Sequence, residues 1–260
     1  MKARADIARR FSVSAATYDR HAAVQQAAAR RLSGLLPDSA PGCVLEIGCG
    51  TGIMTGRLLE HYPDAALDAI DLSEGMIRHC RSRWMDEKRV SWKAVDLLCF
   101  EPGRRYPLIA SCAALHWVQP LPAAFKKVAG LLAPGGALII AVMVRGTLAE
   151  LLEARMRVAP GKPPAAGLPS VKEVRAALAA VGLAVGEESE ESIKAEYADA
   201  NAMLRALHEQ GLTGGRLSRG ARLLTRGELR ALARDYSAHY SANGFVFATF
   251  RVYYARAYKD

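Results

Sequence analysis

The chain has 260 residues, enough for one large domain to bury a core, and 51% hydrophobic with 23% charged residues is an ordinary balance for a globular protein. No apolar run approaches the roughly 18–20 residues of a bilayer span. The basic, polar opening Met1–Phe11 has no apolar stretch of the kind a secretory signal needs, and five cysteines without a C-x-x-C pair read as reduced thiols of a cytoplasmic protein with no metal site. The formal net charge of +9 lies in the flanks: residues 1–36 carry +5, residues 37–200 carry −2 and residues 201–260 carry +6. That distribution fits either an acidic macromolecular partner or a solvated basic surface.

Two helices are predicted at the start, Ala3–Phe11 and Asp19–Leu36, the second with Ala22, Gln25, Ala29, Leu32 and Leu36 at helical spacing. After the breaker Asp38–Gly42, strands and helices alternate. Strands are expected at Cys43–Ile47, Ala66–Ile70, Val90–Val95, Leu108–Ala113 and Ala137–Val144. Helices are expected at Ile53–Tyr62, from the Ser73 cap to about Trp84, and at Pro122–Leu132, which the turn Pro134-Gly-Gly136 ends. Such alternation implies a parallel sheet covered on both faces, with ligands beyond the carboxyl ends of the strands. Further helices follow at Thr147–Val158, Val171–Val181, Ala200–Glu209 and Thr225–Tyr236, with strands at Leu183–Ile193 and Phe245–Tyr254.

The decisive segment is Val44-Leu-Glu-Ile-Gly-Cys-Gly-Thr-Gly52, a strand, a glycine-rich turn and a helix. Gly48, Gly50 and Gly52 allow a tight turn and close approach of a ligand. A dinucleotide fingerprint would need glycine at position 53, where Ile stands, and no P-loop lysine follows, so a pyrophosphate cradle is disfavoured. Asp71 ends the second strand nineteen residues after Gly52, where a carboxylate can accept hydrogen bonds from both ribose hydroxyls.

Together these features resemble class I S-adenosylmethionine-dependent methyltransferases. The resemblance implies a Rossmann-like α/β fold: a mostly parallel seven-stranded sheet with helices on both faces and a helical insertion before the last strands. It implies a helical lid over residues 1–40, an S-adenosyl-L-methionine core over 41–145, and a remainder over 146–260 with a basic insertion at about 199–240. Asp71 with Leu72 would hold the ribose, Asp96 with Leu97 the adenine, and Glu46 would sit near the amino-acid end of the cofactor. His116 and Trp117, after the fourth strand, would wall the methyl site with an aromatic face for the sulfonium, or would be core and helix-entry residues. Tyr18 and His21 belong to the lid reading, a plain surface helix being the alternative.

More specifically, Phe11–Gln25, Leu115-His-Trp-Val118, Val144–Leu151, Leu204–Gly211 and Arg222–Leu229 resemble the malonyl-[acyl-carrier-protein] O-methyltransferase family of biotin synthesis. That likeness implies methylation of a malonyl carboxylate, which is ionised at neutral pH and needs no general base. Arg145 would orient that carboxylate or serve as scaffold. Carrier proteins are acidic, so Arg216, Arg219, Arg222, Arg226, Arg230 and Arg234 are expected to dock the partner, with Arg222, Arg226 and Arg230 on one helix face. Small-molecule carboxylate methylation of the aconitate type is the rival enzyme reading. A nucleic-acid-binding module is disfavoured, because no aromatics interleave the arginines. A monomer that binds neither nucleic acid nor membrane is expected.

Overall fold

The structure is a computed structural model that describes residues 2–163, 167–212 and 223–259. In chain order its elements are α1 (Lys2–Ser14), a 3-10 turn (Tyr18–His21), α2 (Ala23–Ser33), β1 (Cys43–Ile47), α3 (Ile53–His61), β2 (Ala66–Asp71), α4 (Glu74–Arg83), β3 (Val90–Ala94), β4 (Tyr106–Cys112), α5 (Leu121–Leu131) and β5 (Leu132–Met143). Then come α6 (Ala149–Val158), α7 (Val171–Ala179), β6 (Leu183–Tyr197), α8 (Ala200–Glu209), α9 (Arg226–His239), β7 (Ser241–Ala242) and β8 (Phe245–Lys259).

The sheet runs β3-β2-β1-β4-β5-β8-β6, with the two-residue β7 paired to β8 off this path. β3 to β5 are mutually parallel, while β8 is antiparallel to both β5 and β6. This is the Rossmann-like α/β fold expected of a class I methyltransferase, with the small β7 as an eighth strand. Alternate side chains leave opposite faces of each strand. Val44, Leu108, Ile139 and Ala141 pack with Val24, Leu32, Met54 and Leu58 of α2 and α3 on one face. Leu45, Ile109, Leu138 and Ile140 pack with Phe125, Val128, Val174 and Leu178 of α5 and α7 on the other. Burial on both faces accounts for the continuous apolar runs of the central strands.

Several boundaries differ from expectation for local reasons. The predicted helix Asp19–Leu36 is broken at Ala22, whose φ of −86° and ψ of 23° leave the helical region, and the His21 carbonyl before it accepts from the side-chain amide of Gln210. Pairing of β4 with β5 resumes beyond Pro134-Gly-Gly136: Tyr106 faces Leu132 and Leu108 faces Ala137, so the predicted turn is a bulge within β5. β6 and β8 extend to Tyr197 and Lys259. β6 is the outer strand, and its acidic Glu187, Glu188, Glu190 and Glu191 guard that edge. No described helix is long and apolar enough to cross a membrane.

Candidate active site

The strand order reverses between β1 and β4, and the turns after their carboxyl ends diverge around a cleft of about 1070 Å³, partly open to solvent. The glycine turn after β1 forms its floor. Only Gly50 faces open space there: a Cβ on it would meet nothing within 4 Å. A Cβ on Gly48 would lie 2.1 Å from Ala114 Cβ, and one on Gly52 would lie 2.1 Å from the Trp84 ring. Gly48 and Gly52 are therefore demanded by packing and by their positive φ of 74° and 87°. Gly52, read from the sequence as a ligand contact, caps α3 behind the cleft.

Asp71 ends β2. Its Oδ2 accepts from Gly50 N–H at 2.9 Å and its Oδ1 from Ser73 N–H at 2.8 Å. Burial raises its pKa against these two donors. Glu46, in β1, is 1% exposed, and burial pushes its carboxyl up to about 7 although the Thr55 hydroxyl donates to it at 2.5 Å. Asp96, just after β3, accepts from Leu98 N–H at 3.0 Å and from Arg4 Nη1 at 2.7 Å.

The first helix thus reaches the cleft, and it and the 3-10 turn after it are fastened at three points. Besides Arg4, the Ser12 and Ser73 hydroxyls lie 2.8 Å apart, and the Thr51 hydroxyl donates to Asp19 at 2.5 Å. Phe11 stacks edge-on against Trp117, with ring centroids 5.5 Å apart, and lies 6.4 Å from Tyr18. These three rings, with Cys112 and Ala113 from the end of β4, also line the cleft. Burial pushes the Cys112 thiol up to about 12, and it raises the Tyr18 phenol further still, with Cys112, Asp71 and Asp19 adding to it. Neither is ionised at neutral pH, and among the described residues no histidine lines the cleft.

A family model described as a methyltransferase domain matches residues 45–138. The malonyl-[acyl-carrier protein] O-methyltransferase of Geobacter sulfurreducens is 31% identical over 255 residues, 94% of this chain and 94% of the relative. The chain belongs to the malonyl-[acyl-carrier protein] O-methyltransferase family. A second relative of that name, from Ilyobacter polytropus, is 26% identical over 95% of this chain and 94% of its own length. Among solved structures, YcgJ of Bacillus subtilis superposes with a TM-score of 0.64 at 13% identity, covering 90% of this chain and 98% of that one. The N-methyltransferase NodS of Bradyrhizobium japonicum, in complex with S-adenosylhomocysteine, gives 0.54 at 17% identity over 95% and 98%. At those identities the superpositions speak for the fold.

Members of this family of S-adenosylmethionine-dependent methyltransferases need a site for a nucleoside, a sulfonium and an amino acid, and the donor set here fits. Two backbone donors fix the Asp71 carboxylate yet leave each oxygen a lone pair. The space above Gly50 is open, and the first turn of α3 carries no side-chain cap. Leu72 and Leu97 flank the two acids along the same cleft.

The remaining sequence-derived residues lie elsewhere. His21 pairs with Glu209 at 2.6 Å, binding the 3-10 turn to the end of α8. His116 is buried beneath the cleft, next to Trp117, which alone of the two lines it. Arg145 opens onto a separate groove beside Pro120, Leu121 and Pro169, and its 69% exposed side chain pairs with Glu173 at 3.2 Å. The chain leaves β5 away from the cleft because Arg145 N–H donates to the Pro169 carbonyl. Arg216, Arg219 and Arg222 lie outside the described residues, and α9 starts at Arg226 behind a Thr225–Glu228 capping box. Arg226, Arg230 and Arg234 are exposed and four residues apart. Sequence reasoning gave no role to Arg4, Ser12 or Asp19. Asp19 stands beside Tyr18 in a polar stretch that was the available signal; Arg4 offered none.

Proposed function

We propose that the chain transfers the methyl group of S-adenosylmethionine to the free carboxylate of malonyl-[acyl-carrier protein], giving the methyl ester that primes pimeloyl synthesis for biotin. The observation that carries this reading is likeness over 94% of both chains to a relative of that name. When bound, S-adenosylmethionine supplies an electrophilic methyl carbon on a positively charged sulfur. A malonyl oxygen forms the new C–O bond as the C–S bond breaks and its electron pair stays on sulfur, so the two charges cancel. The carboxylate is its own nucleophile, which suits a cleft lined by high-pKa groups and, among the described residues, no histidine.

In this reading Asp71 accepts from the ribose hydroxyls and Asp96 from the adenine amino group, with Leu72 and Leu97 against the flat faces. Ionised Glu46 pairs with the cofactor's ammonium. Phe11, Tyr18 and Trp117 exclude water and face the sulfonium. Residues 1–40 act as the lid, fastened through Arg4, Ser12 and Asp19, and the exposed Arg226, Arg230 and Arg234 meet the acidic carrier. The test is methyl transfer from labelled cofactor to malonyl-loaded and acetyl-loaded carrier protein in parallel. Label should enter the malonyl form only; label on the acetyl form, which has no free carboxylate, overturns the reading.

A further inference from the structure

Gln25 lies in the first turn of α2 and is 7% exposed, yet its amide Oε1 has no hydrogen-bond partner. The side chain lines the active-site cleft. A buried polar atom left unpaired inside a protein is costly, so a ligand group is the natural partner. Amide oxygen and nitrogen exchange by a half-turn of the terminal torsion, which lets Gln25 present either an acceptor or a donor to the same point.

The sheet decides which part of the reacting pair reaches that point. Asp96 follows β3 and Cys112 ends β4, three strands away, or roughly 14 Å at the usual strand spacing. A nucleoside held between Asp71 and Asp96 occupies one end of this span. Gln25 lines the same cleft from α2, which packs against α3 and β4 at the other end. On the reading above, Glu46 would hold the cofactor's ammonium there, and the uncapped first turn of α3 would hold its carboxylate. The Gln25 amide is left over.

We infer that Gln25 donates a hydrogen bond to the acceptor carboxylate and positions its free oxygen against the methyl carbon. This rests on the methyl-transfer reading above. A neutral amide suits the task better than a guanidinium. It holds one oxygen and leaves the other its charge density, whereas a bidentate arginine engages both oxygens. Arg57, one turn along α3 from Ile53, contributes positive potential on this side, where it pulls down the Cys112 thiol that burial raises.

The test compares Gln25→Leu and Gln25→Glu with the wild type on malonyl-carrier protein, alongside calorimetry with S-adenosylhomocysteine. Gln25→Leu should lower kcat/KM 10- to 100-fold while S-adenosylhomocysteine affinity stays within twofold, which also certifies the fold. Gln25→Glu should be nearly inactive at pH 8 and recover as the pH falls to 6, because only the protonated carboxyl donates, and the wild type should lack that rise. A parallel loss of S-adenosylhomocysteine affinity would make Gln25 a cofactor ligand and overturn the inference. So would unchanged kcat/KM in Gln25→Leu, or a Gln25→Glu pH profile like the wild type's. Wild-type protein inert on malonyl-carrier protein would overturn the methyl-transfer reading along with it; an active wild type with an indifferent Gln25→Leu overturns this inference alone.

Discussion

Arg4 Nη1 lies 2.7 Å from Asp96 Oδ2, so a residue of the first helix closes the end of the cleft that β3 builds. The Asp96 carboxylate has more lone pairs than Arg4 and Leu98 N–H use, so the first helix leaves it free to accept from a ligand's amino group as well. Arg4→Ala should therefore loosen the first helix without emptying the site. The pair is partly exposed, so about 1 kcal/mol is the most it contributes, a two- to fivefold weaker affinity for S-adenosylmethionine. Stopped-flow binding should show that change mainly as faster dissociation. Tighter binding in Arg4→Ala would mean that Arg4 competes with the cofactor for Asp96.

The glycines of the β1 turn should separate by what each one meets. Gly48→Ala places a methyl 2.1 Å from Ala114 Cβ at a positive φ, and should lower the melting temperature by several degrees. Gly50→Ala meets open space and has only its φ of 55° to bear, about 1–2 kcal/mol of backbone cost. It should stay folded and lose cofactor affinity more than tenfold. Thermal melts with and without S-adenosylhomocysteine distinguish the two; an equal loss of stability in both variants would contradict this division.

Those same glycines show what the sequence makes legible. The turn, Asp71 and the alternation of strands and helices are local patterns, so the fold and several residues that line its cleft could be read directly. Arg4 and Asp19 could not be, because their partners Asp96 and Thr51 lie 92 and 32 residues away. Arg145 was placed by its position after β5, but its backbone hydrogen bond to Pro169 turns it into another groove. The full lengths of β6 and β8 were hidden because β6 is polar along most of its course, and its pairing with β8, not an apolar rhythm, defines it.

Glu46 should make stability and binding respond to pH in opposite directions. Its folded pKa of about 7 exceeds its ordinary 4.5, so the native state favours the protonated form. The resulting stability is fully present below about pH 4.5 and is lost as the pH rises through about 7. Glu46→Gln lacks that loss. In chemical denaturation without cofactor, its stability relative to wild type should increase between those pH values, by on the order of 3 kcal/mol, and level off above them. Wild-type affinity for S-adenosylmethionine should rise over the upper part of that range as Glu46 ionises, whereas the variant's should be weaker and flat. A constant stability difference across pH would place the carboxyl's titration elsewhere.

Docking is tested on the described part of the basic segment. Arg226, Arg230 and Arg234 project from one exposed face of α9, where charges act over about 8–10 Å at physiological salt and mainly accelerate encounter. Reversing all three to Glu should raise KM for malonyl-carrier protein at least tenfold and flatten its salt dependence. Activity on a small malonyl thioester should change little. Equal losses on both substrates would assign these arginines to the shape of the active site.

The most direct measurement is mass spectrometry of malonyl-carrier protein after incubation with the protein and S-adenosylmethionine. The account predicts a gain of one methyl group on the malonyl moiety, and hydrolysis of the acyl group released from the carrier should give malonate and methanol, as a methyl ester must. A hydrolysed product that keeps the methyl on carbon, or malonyl-carrier protein left unmodified by protein that binds S-adenosylmethionine, would contradict it.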